Sequence, residues 1–361
     1  MQKKYKLLFI VEAMGGGIFT YIVDLANELC KKYDMYIAYG IRPQTPPDYL
    51  TYFDPSIHMI FVDSFTREIS PKMDLKAFFD VKEIVKEVDP DIIHLHSSKA
   101  GVIGRMALDG DETPLFYTPH GYSFLMKNYR PLKRTIFRAI EGFCAKKNCT
   151  TISCSPGENE ETLKLTKRAK YVNNGINVTQ LRGLLDKVEK KDHPFTVFTL
   201  GRITYQKNPE LFNQIAERLP GVKFIWIGDG ELREKLKSPN IEITGWMDRR
   251  AALSVSVNAD VFLLTSLWEG LPMSLLEAMY MRKLCVVNDV IGNHDVIHNG
   301  DNGFVCRNVD EFVHAIVSHG NKKLVEKAFS DLMTEYNTRV MAEKYNIIYQ
   351  NSLTRMGGGN T

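Results

Sequence analysis

Residues 7–29 read LLFIVEAMGGGIFTYIVDLANEL: a short apolar run, three glycines and a helical pattern in direct succession. The apolar run at 7–11 has the length of a buried strand. In residues 18–29 the apolar side chains recur three or four positions apart, so they share one face of a helix. A strand that leads into an amphipathic helix is the building unit of a parallel sheet.

The same alternation continues through most of the chain. Strand candidates in the first half are residues 7–11, 35–39, 57–62, 92–95, 115–117 and 151–154. Strand candidates in the second half are residues 196–200, 223–227, 241–244, 261–264 and 284–287. Short strands separated by helical patterns predict an α/β fold with two Rossmann-like domains in tandem. Ligands of such sheets bind at the carboxyl ends of the strands, so we expect a cleft lined by those ends in both domains.

The chain has 361 residues, which is more than one typical hydrophobic core supports. We therefore predict an N-terminal domain at 1–173 and a C-terminal domain at 174–334. The segment 335–361 has a helical pattern with no strand after it, and we expect this helix to cross back to the first domain. The glycine-rich end of the segment is expected to be a flexible tail.

Charge and cysteine content exclude several classes of protein. The net charge of +3 is mild, so a nucleic-acid partner is not expected. The six cysteines are scattered without a CxxC pair, which favours reduced thiols in a cytoplasmic protein. The first apolar run is too short for a signal peptide, and no stretch approaches the length of a spanning helix.

Residues 268–279 read WEGLPMSLLEAM and follow the strand candidate at 261–264. Pro272 suits the first turn of a helix, so Glu269 and Gly270 lie before the N-terminus of that helix and Glu277 lies inside it. Backbone N–H groups at this N-terminus can bind an anion or a hydroxyl. The two carboxylates can accept hydrogen bonds from vicinal hydroxyls. The alternative is that Glu269 only complements the helix dipole and Glu277 is a surface residue.

Residues 201–209 read GRITYQKNP and directly follow another strand candidate. Arg202 and Lys207 therefore lie at the carboxyl end of a strand, where cations meet a phosphate. Fixed cations there would neutralise the charge that grows on a departing diphosphate. The alternative is that both are solvated loop charges.

Two further features lie at strand ends in the first half. Gly16 and Gly17 belong to a glycine loop between the first strand and the first helix, where backbone N–H groups can reach a phosphate. His120 follows the strand at 115–117, in a position to bind a sugar hydroxyl or a carbonyl. A lone histidine is more often structural, and the same holds for His94 and His96.

These features occur in a definite order: a glycine loop, His-Gly, Gly-Arg with a following lysine, and paired glutamates around Glu-Gly-Leu-Pro. In this order the chain resembles retaining glycosyltransferases of the GT-B fold, family 4 type, over nearly its whole length. The resemblance implies that Glu277 holds the ribose hydroxyls and that Glu269 holds a hydroxyl of the donor sugar. Arg202 and Lys207 would clamp the diphosphate, and His120 would contact the transferred sugar.

Several glycine and backbone positions also receive roles from the resemblance. The positions implied to line the nucleotide-sugar are Gly16, Gly17, Gly228, Trp246, Met247, Gly270, Leu271 and Pro272. The sequence departs from the family pattern at Asn177, where aspartate is common, and at Gln206-Lys207-Asn208, where Lys-Gly is commoner. Neither departure removes a charge from the diphosphate clamp.

The resemblance implies that the leaving diphosphate itself takes the proton of the acceptor, so no protein base is expected. The Asp-x-Asp pairs at 89–91 and 109–111 adjoin a helix stop and a charged turn, away from the clamp. We therefore predict no metal and no cofactor. The nucleotide-sugar is a substrate, and UDP is the nucleotide most common in the family.

Residues 127–147 combine basic and apolar side chains with a single acidic residue, Glu141. The basic residues are Lys127, Arg130, Lys133, Arg134, Arg138, Lys146 and Lys147. A basic amphipathic helix of this kind can lie on anionic lipid at the inner membrane face, which suits a lipid-linked glycan acceptor. The alternative is an ordinary helix whose apolar face packs on the core.

The resemblance implies a hexosyltransferase, and with a lipid-linked acceptor we expect it to act in bacterial surface polysaccharide synthesis. Two other functions are considered. A nicotinamide-dependent oxidoreductase would use the glycine loop, but the loop lacks the third glycine of the dinucleotide fingerprint. A non-catalytic sugar-nucleotide-binding partner of another transferase is disfavoured because the clamp residues and both glutamates are present.

Overall fold

A computed structural model describes residues 4–43, 45–66, 68–318 and 320–357. The chain divides into two compact units. Unit 1 comprises Met1–Leu125, Tyr129–Asn174 and Thr338–Thr361, and unit 2 comprises Met126–Asn128 and Gly175–Asn337. The chain thus passes into unit 2 after Asn174 and returns to unit 1 at Thr338.

The strands and helices follow in chain order. The strands are β1 Lys6–Met14, β2 Asp34–Ile41, β3 His58–Phe61, β4 Ile92–His96, β5 Leu115–Thr118, β6 Thr150–Ser153, β7 Ala169–Tyr171, β8 Thr196–Leu200, β9 Lys223–Ile227, β10 Ile241–Ile243, β11 Val261–Leu264, β12 Leu284–Asn288 and β13 Phe304–Cys306. The helices are α1 Gly16–Leu29, α2 Pro71–Val88, α3 Ser98–Ala107, α4 Pro131–Cys144, α5 Pro156–Leu163, α6 Val178–Leu185, α7 Pro209–Arg218, α8 Arg249–Val257, α9 Met273–Tyr280, α10 Val309–Val317, α11 Lys322–Glu335 and α12 Thr338–Gly357.

Unit 1 contains a parallel sheet in the order β3-β2-β1-β4-β5-β6-β7. Successive residues of a strand point to opposite faces. Leu7, Phe9 and Val11 accordingly pack in the core on the side of α1 and α12. Leu8 and Ile10 pack in the core on the side of α2 and α3. Both faces of β1 are buried, which explains why its sequence is a continuous apolar run.

The last helix, α12, belongs to unit 1, as the sequence predicts. Met341, Tyr345 and Tyr349 are buried in the same core cluster as α1. The helix begins at Thr338 and not at residue 335, because the chain first completes α11 at Glu335. The backbone N–H of Ile176 donates to the Tyr336 carbonyl at 2.9 Å, so the incoming and outgoing chains run side by side within unit 2.

Unit 2 contains a second parallel sheet, in the order β10-β9-β8-β11-β12-β13. Phe198, Phe262 and Leu264 pack on one side of this sheet together with α9. The other side packs on α7 and α10. The sequence analysis missed the three-residue edge strand β13, and it missed β7 in unit 1, because so short a run carries little periodicity.

Two local boundaries differ from the prediction. α1 begins at Gly16, so Gly16 and Gly17 form its first turn and are not part of a loop before the helix. α9 begins at Met273, with Pro272 as the N-cap residue in an extended conformation (φ −76°, ψ 124°). None of the helices in the described part of the chain is long and apolar enough to cross a membrane.

Candidate functional site

In unit 2, β8 and β11 are neighbours, so the loops that follow them emerge side by side. The first loop carries Lys207 and the second carries Glu269. The Lys207 Nζ lies 2.7 Å from the Glu269 Oε1, and the two side chains are only 18% and 9% exposed. The structure therefore brings together two residues that the sequence assigned to the diphosphate and to the sugar.

Backbone and side-chain hydrogen bonds tie these two loops to each other. The backbone N–H of Leu267 donates to the Gln206 carbonyl at 2.8 Å. The Gln206 Nε2 donates to the Trp268 carbonyl at 2.9 Å, and the Thr265 hydroxyl donates to the Lys207 carbonyl at 2.7 Å. Gln206, which departs from the family pattern, thus helps to hold Lys207 beside Glu269.

Asn208 belongs to the same departing stretch, and its backbone conformation explains why asparagine stands there. Its φ of 52° lies in the left-handed region, which glycine and asparagine tolerate best. Its side chain also caps α7 by accepting from the backbone N–H of Leu211 at 3.4 Å. Asparagine therefore replaces glycine here without loss of the turn.

The structure does not bring Arg202 to the Lys207–Glu269 pair. The Arg202 guanidinium is half exposed and lies 3.2 Å from the Glu231 carboxylate. The glycines around it serve backbone packing, since a Cβ at Gly228 would lie 2.3 Å from the Gly201 carbonyl oxygen. A Cβ at Gly230 would likewise lie 2.2 Å from a backbone oxygen, that of Ile203.

Glu277 is a buried residue of α9, so the alternative of a surface carboxylate is wrong. Its Oε1 accepts a hydrogen bond from the Arg249 Nη2 at 2.6 Å. Burial raises the pKa of Glu277, and the neighbouring Arg249 charge opposes that rise. The sequence analysis missed Arg249, since nothing in the local pattern links it to a carboxylate so far along the chain.

Trp246 and Met247 precede α8 on a turn that begins at Gly245 (φ 74°). The Trp246 side chain is 69% exposed, whereas Met247 packs on the core cluster of unit 2. An exposed indole offers a large apolar surface on which a planar base can stack.

Gly270, Leu271 and Pro272 form the link between Glu269 and α9. A Cβ at Gly292 (φ 84°) would lie 2.4 Å from the Gly270 carbonyl oxygen. The loop after β12 is therefore packed directly on this link and supports it. The sequence analysis missed the role of Gly292.

His120 lies in unit 1, after β5, with a left-handed backbone (φ 56°). Its Nε2 is 3.1 Å from the His96 Nδ1, and its Nδ1 is 3.5 Å from the Cys154 sulfur. The ring of Tyr21 packs edge-on against it, with the centroids 4.5 Å apart. Both ring nitrogens of His120 thus have partners inside unit 1.

The imidazoles of this region are neutral at physiological pH. Burial lowers the pKa of His120 to about 3. Burial also lowers the pKa of His94 and of His96 well below the usual value. His94 is structural, because its two nitrogens lie 2.5 Å from the Tyr349 hydroxyl and 2.8 Å from the Thr118 hydroxyl.

Glu158 is a residue of this region that the sequence analysis missed. It is buried in α5, where the backbone N–H groups of Gly121 and Cys154 donate to its two carboxylate oxygens at 2.6 and 2.7 Å. These bonds hold the turn that carries His120. The sequence does carry one indication of it, because Ser155 followed three residues later by Glu158 is the pattern of a helix N-terminus. The Ser155 hydroxyl accepts from the backbone N–H of Glu158.

Gly16 and Gly17 are exposed at the start of α1, also in unit 1. A Cβ at either position would meet nothing within 4 Å, so the space beside these backbone groups is open. Across residues 4–43, 45–66, 68–318 and 320–357, no group of three or more His, Cys, Asp or Glu side chains could hold a metal ion.

Two family models match consecutive parts of the chain. Residues 15–180 match the model of Glycosyltransferase Family 4, and residues 194–320 match that of Glycosyl transferases group 1. A UDP-Gal:alpha-D-GlcNAc-diphosphoundecaprenol alpha-1,3-galactosyltransferase of Escherichia coli is 29% identical over 308 residues, covering 76% of this chain and 78% of the relative.

Two further similarities extend over more of the chain. A Campylobacter jejuni alpha-1,4-N-acetyl-D-galactosaminyltransferase, named for an undecaprenol-linked acceptor, is 25% identical and covers 86% of this chain and 87% of its own. The solved structure of HepE from Anabaena, in complex with UDP and glucose, has a TM-score of 0.74 at 15% identity, covering 96% of this chain and all of that one (100%). The last likeness shows the fold.

Proposed function

Since this chain belongs to the group 1 glycosyl transferases and has the GT-B fold, we propose that it transfers a hexose from a UDP-sugar to a lipid-linked glycan, with retention of anomeric configuration. We place this reaction in bacterial surface polysaccharide synthesis, on the cytoplasmic side of the membrane. The relatives named for undecaprenol-linked acceptors support the acceptor class. The name of the galactosyltransferase relative and the UDP-bound HepE structure support UDP.

Unit 2 is proposed to bind the donor and unit 1 the acceptor. The observation that carries the donor assignment is the contact between Lys207 and Glu269, 2.7 Å apart at the carboxyl ends of β8 and β11. A cation and an acceptor group side by side match a ligand that has a diphosphate next to a sugar hydroxyl. Glu277 lies in the second turn of α9 and would accept from the ribose, with Trp246 stacking on the base.

In this reaction the protein has to position the two substrates and stabilise the charge on the leaving group. The bond from the anomeric carbon to the diphosphate oxygen breaks, and a new bond forms from that carbon to the acceptor oxygen. The proton of the acceptor hydroxyl passes to the departing diphosphate. Lys207 and the backbone N–H groups at the start of α9 stabilise the charge on that group. We propose that no metal takes part.

The family resemblance implies that Arg202 binds the diphosphate and that His120 contacts the transferred sugar. Each side chain would have to exchange its present partner for the substrate. Arg202 is paired with Glu231 near the surface, and an incoming diphosphate would compete with that carboxylate. A sugar hydroxyl that used a ring nitrogen of His120 would displace His96 or Cys154. The neutral imidazole of His120 suits a hydroxyl partner better than an anionic one.

The helix α4 supports contact with a membrane. Leu132, Ile136, Ile140 and Phe143 line one face of it and are 74%, 50%, 39% and 56% exposed. In this fully described helix the buried side chains are Glu141 and Cys144. The apolar face therefore points to solvent, opposite to an ordinary core-packed helix.

A buried carboxylate attaches α4 to unit 1. The Glu141 Oε2 accepts from the Arg105 Nη2 at 2.7 Å, and its Oε1 accepts from the Tyr117 hydroxyl at 3.0 Å. Because the one acidic residue of α4 is buried, the outer surface of α4 itself carries only basic charge, at Lys133 and at Arg138, which also pairs with Glu161 of α5 at 3.5 Å. Apolar side chains flanked by basic ones fit anionic lipid.

The donor and the stereochemistry are tested together. Purified protein is supplied with UDP-, GDP- and ADP-sugars and a polyprenyl-diphosphate-linked sugar, and nucleotide release is measured with and without EDTA. We expect release from a UDP-hexose only when acceptor is present, unaffected by EDTA, and a product whose anomeric configuration equals that of the donor by NMR. Inverted product would refute retention, and activity that returns only with Mn²⁺ would refute the metal-free proposal.

Membrane contact is tested by flotation with vesicles that contain anionic lipid, at low salt. We expect the wild type to float and the double variant Ile136→Asp/Ile140→Asp to remain at the bottom. The matched control is Leu75→Asp/Phe79→Asp, an equally spaced and exposed apolar pair on α2, which should float. Equal behaviour of both variants, or a wild type that does not float, would contradict the proposal.

A further inference from the structure

Arg249 is the first residue of α8. The preceding residue, Asp248, caps the helix by accepting from the backbone N–H of Ala251 at 2.9 Å. From this fixed start the Arg249 Nη2 reaches the Glu277 Oε1 at 2.6 Å. The contact joins α8 to α9 within unit 2.

The two partners differ in exposure. The Glu277 side chain is 11% exposed, whereas that of Arg249 is 42% exposed. A guanidinium has five N–H donors, and this contact occupies only one side of it. Arg249 therefore reaches in from the surface and fixes one oxygen of a carboxylate that is mostly buried.

Helix stability does not account for a basic residue at this position. A positive charge at a helix N-terminus opposes the helix dipole, and α8 begins with Arg249 and Arg250 together. The side chain of Arg250 points to a different partner, the Lys187 carbonyl at 3.5 Å. The benefit of Arg249 is thus its contact with Glu277.

We propose that Arg249 is a positioning residue that determines recognition of the ribose. By holding Oε1 of Glu277, it directs the other carboxylate oxygen to the 2′ and 3′ hydroxyls of the donor nucleotide. Its charge also favours the ionised form of the carboxylate, which accepts the strong charge-assisted bond that a neutral acid cannot accept. This inference rests on the proposed function, in which Glu277 binds the ribose of UDP.

Other charged groups around α9 are occupied elsewhere. The strands β11 and β12 pack against α9 and contribute one titratable side chain, the buried thiol of Cys285. On α11, Glu326 pairs with Arg282, and Lys327 pairs with Asp331. Arg249 is the charge that acts on the pKa of Glu277.

The test compares the binding of UDP and 2′-deoxy-UDP by calorimetry in the wild type and in Arg249→Met. We expect the wild type to prefer UDP and the variant to lose about tenfold or more of that preference, the size of one charge-assisted hydrogen bond. Arg249→Lys should restore the charge but only part of the preference, since a lysine lacks the planar fork. Arg250→Met is the matched control and should bind as the wild type does.

The pH dependence of UDP binding separates positioning from mere packing. Burial raises the pKa of Glu277 and Arg249 opposes that rise, so the pKa should rise further when Arg249 is replaced. As the pH falls, Arg249→Met should therefore lose UDP affinity at a higher pH than the wild type.

The outcomes distinguish this inference from the proposed function. If the wild type prefers UDP but Arg249→Met keeps both the preference and the pH profile, the role of Arg249 is refuted and the donor site stands. If the wild type does not bind UDP, the proposed function and this inference fail together. Melting temperatures within a few degrees of the wild type establish that the variants are folded.

Discussion

Lys207, Glu269 and Glu277 show at the scale of the residue how a sequence motif becomes a site. The motif places each residue after a strand or in the helix that follows, and the structure adds the partner of each. Lys207 contacts Glu269, whereas Glu277 contacts Arg249, which no motif indicates. Each carboxylate is thus paired with a positive charge inside unit 2. Replacing the basic partner should therefore change how the carboxylate binds a ligand.

Replacing Lys207 by methionine tests the proposed diphosphate clamp. We expect kcat/KM to fall by about 10²- to 10³-fold, because the charge that stabilises the leaving group is lost. The measurement is donor-dependent nucleotide release, with far-UV circular dichroism to establish that the fold is retained. The control Lys235→Met removes an exposed lysine paired with Glu210 in the same unit, and its activity should not change. Equal activity of both variants would mean that the clamp lies elsewhere.

The buried histidines predict a pH dependence of stability. Burial lowers the pKa of His120 to about 3, and it lowers the pKa of His94 and His96 as well. The folded protein keeps these rings neutral, while the unfolded chain protonates them near pH 6.5. The free energy of unfolding should thus be undiminished above pH 6.5 and fall below it, by up to about 1.4 kcal/mol per pH unit for each histidine.

Urea denaturation at pH 7.5, 6.0 and 5.0 measures this slope. The variant His120→Asn should have a smaller slope of unfolding free energy against pH, by the contribution of one histidine. Asparagine is chosen because it tolerates the left-handed backbone of that position. Carboxylates that titrate in the same range affect both proteins equally, so the difference between the slopes isolates His120. Parallel slopes would show that the pKa of His120 is the same in the folded and the unfolded protein.

At the scale of the element, α4 and α12 attach to unit 1 in opposite ways. α12 packs its apolar and aromatic residues in the core, as an amphipathic helix normally does. α4 attaches through the buried ion pair of Glu141 with Arg105 and exposes its apolar stripe. Both helices carry the periodicity of a helix, so the period alone does not tell which face is inside.

Tyr349→Phe tests how much the contact between α12 and His94 stabilises unit 1. The variant removes the hydroxyl 2.5 Å from the His94 Nδ1 and leaves a buried ring nitrogen without a partner, which costs about 1–3 kcal/mol. The control Tyr33→Phe removes a hydroxyl bonded to Asn346 and Gln350, whose side chains can turn to water. Its cost should stay below about 1 kcal/mol. Urea denaturation compares the two, and equal losses would contradict a special role of the His94 contact.

At the scale of the whole molecule, the path of the chain makes the two units unequal. Unit 2 is formed almost entirely by the continuous segment Gly175–Asn337. Unit 1 combines Met1–Leu125 and Tyr129–Asn174 with the distant segment Thr338–Thr361, whose helix α12 supplies part of the core around α1. Within each sheet the order of the strands differs from their order along the chain, because one connection, β3 to β4 or β10 to β11, joins strands that are not neighbours.

Two fragments test this inequality. Residues 175–337, expressed alone, should unfold cooperatively and bind UDP, since the fragment contains both sides of its sheet. Residues 1–174 should be unstable or aggregate, because the core face that α12 covers is left open. Adding a peptide of residues 338–357 should improve the solubility of the second fragment. A stable fragment of 1–174 with the melting temperature of the whole protein would contradict the role of α12.

The sequence predicted the fold class, every strand of the two sheets except β7 and β13, and the order of the motifs. These features are local: a buried strand needs an apolar run, a helix needs its period, and residues that follow parallel strands meet at one edge. It did not predict β7 or β13, which are too short to show a period, nor the start of α1 at Gly16.

The packing of the whole fold determines which distant side chains meet. Arg249 reaches Glu277, His96 reaches His120, and Glu158 holds the turn that carries His120, all across separate elements. It also decided that the apolar face of α4 points outward. Such contacts depend on which strands become neighbours and how helices rotate on the sheet, and that choice is made by the packing of the whole core, which no local pattern records.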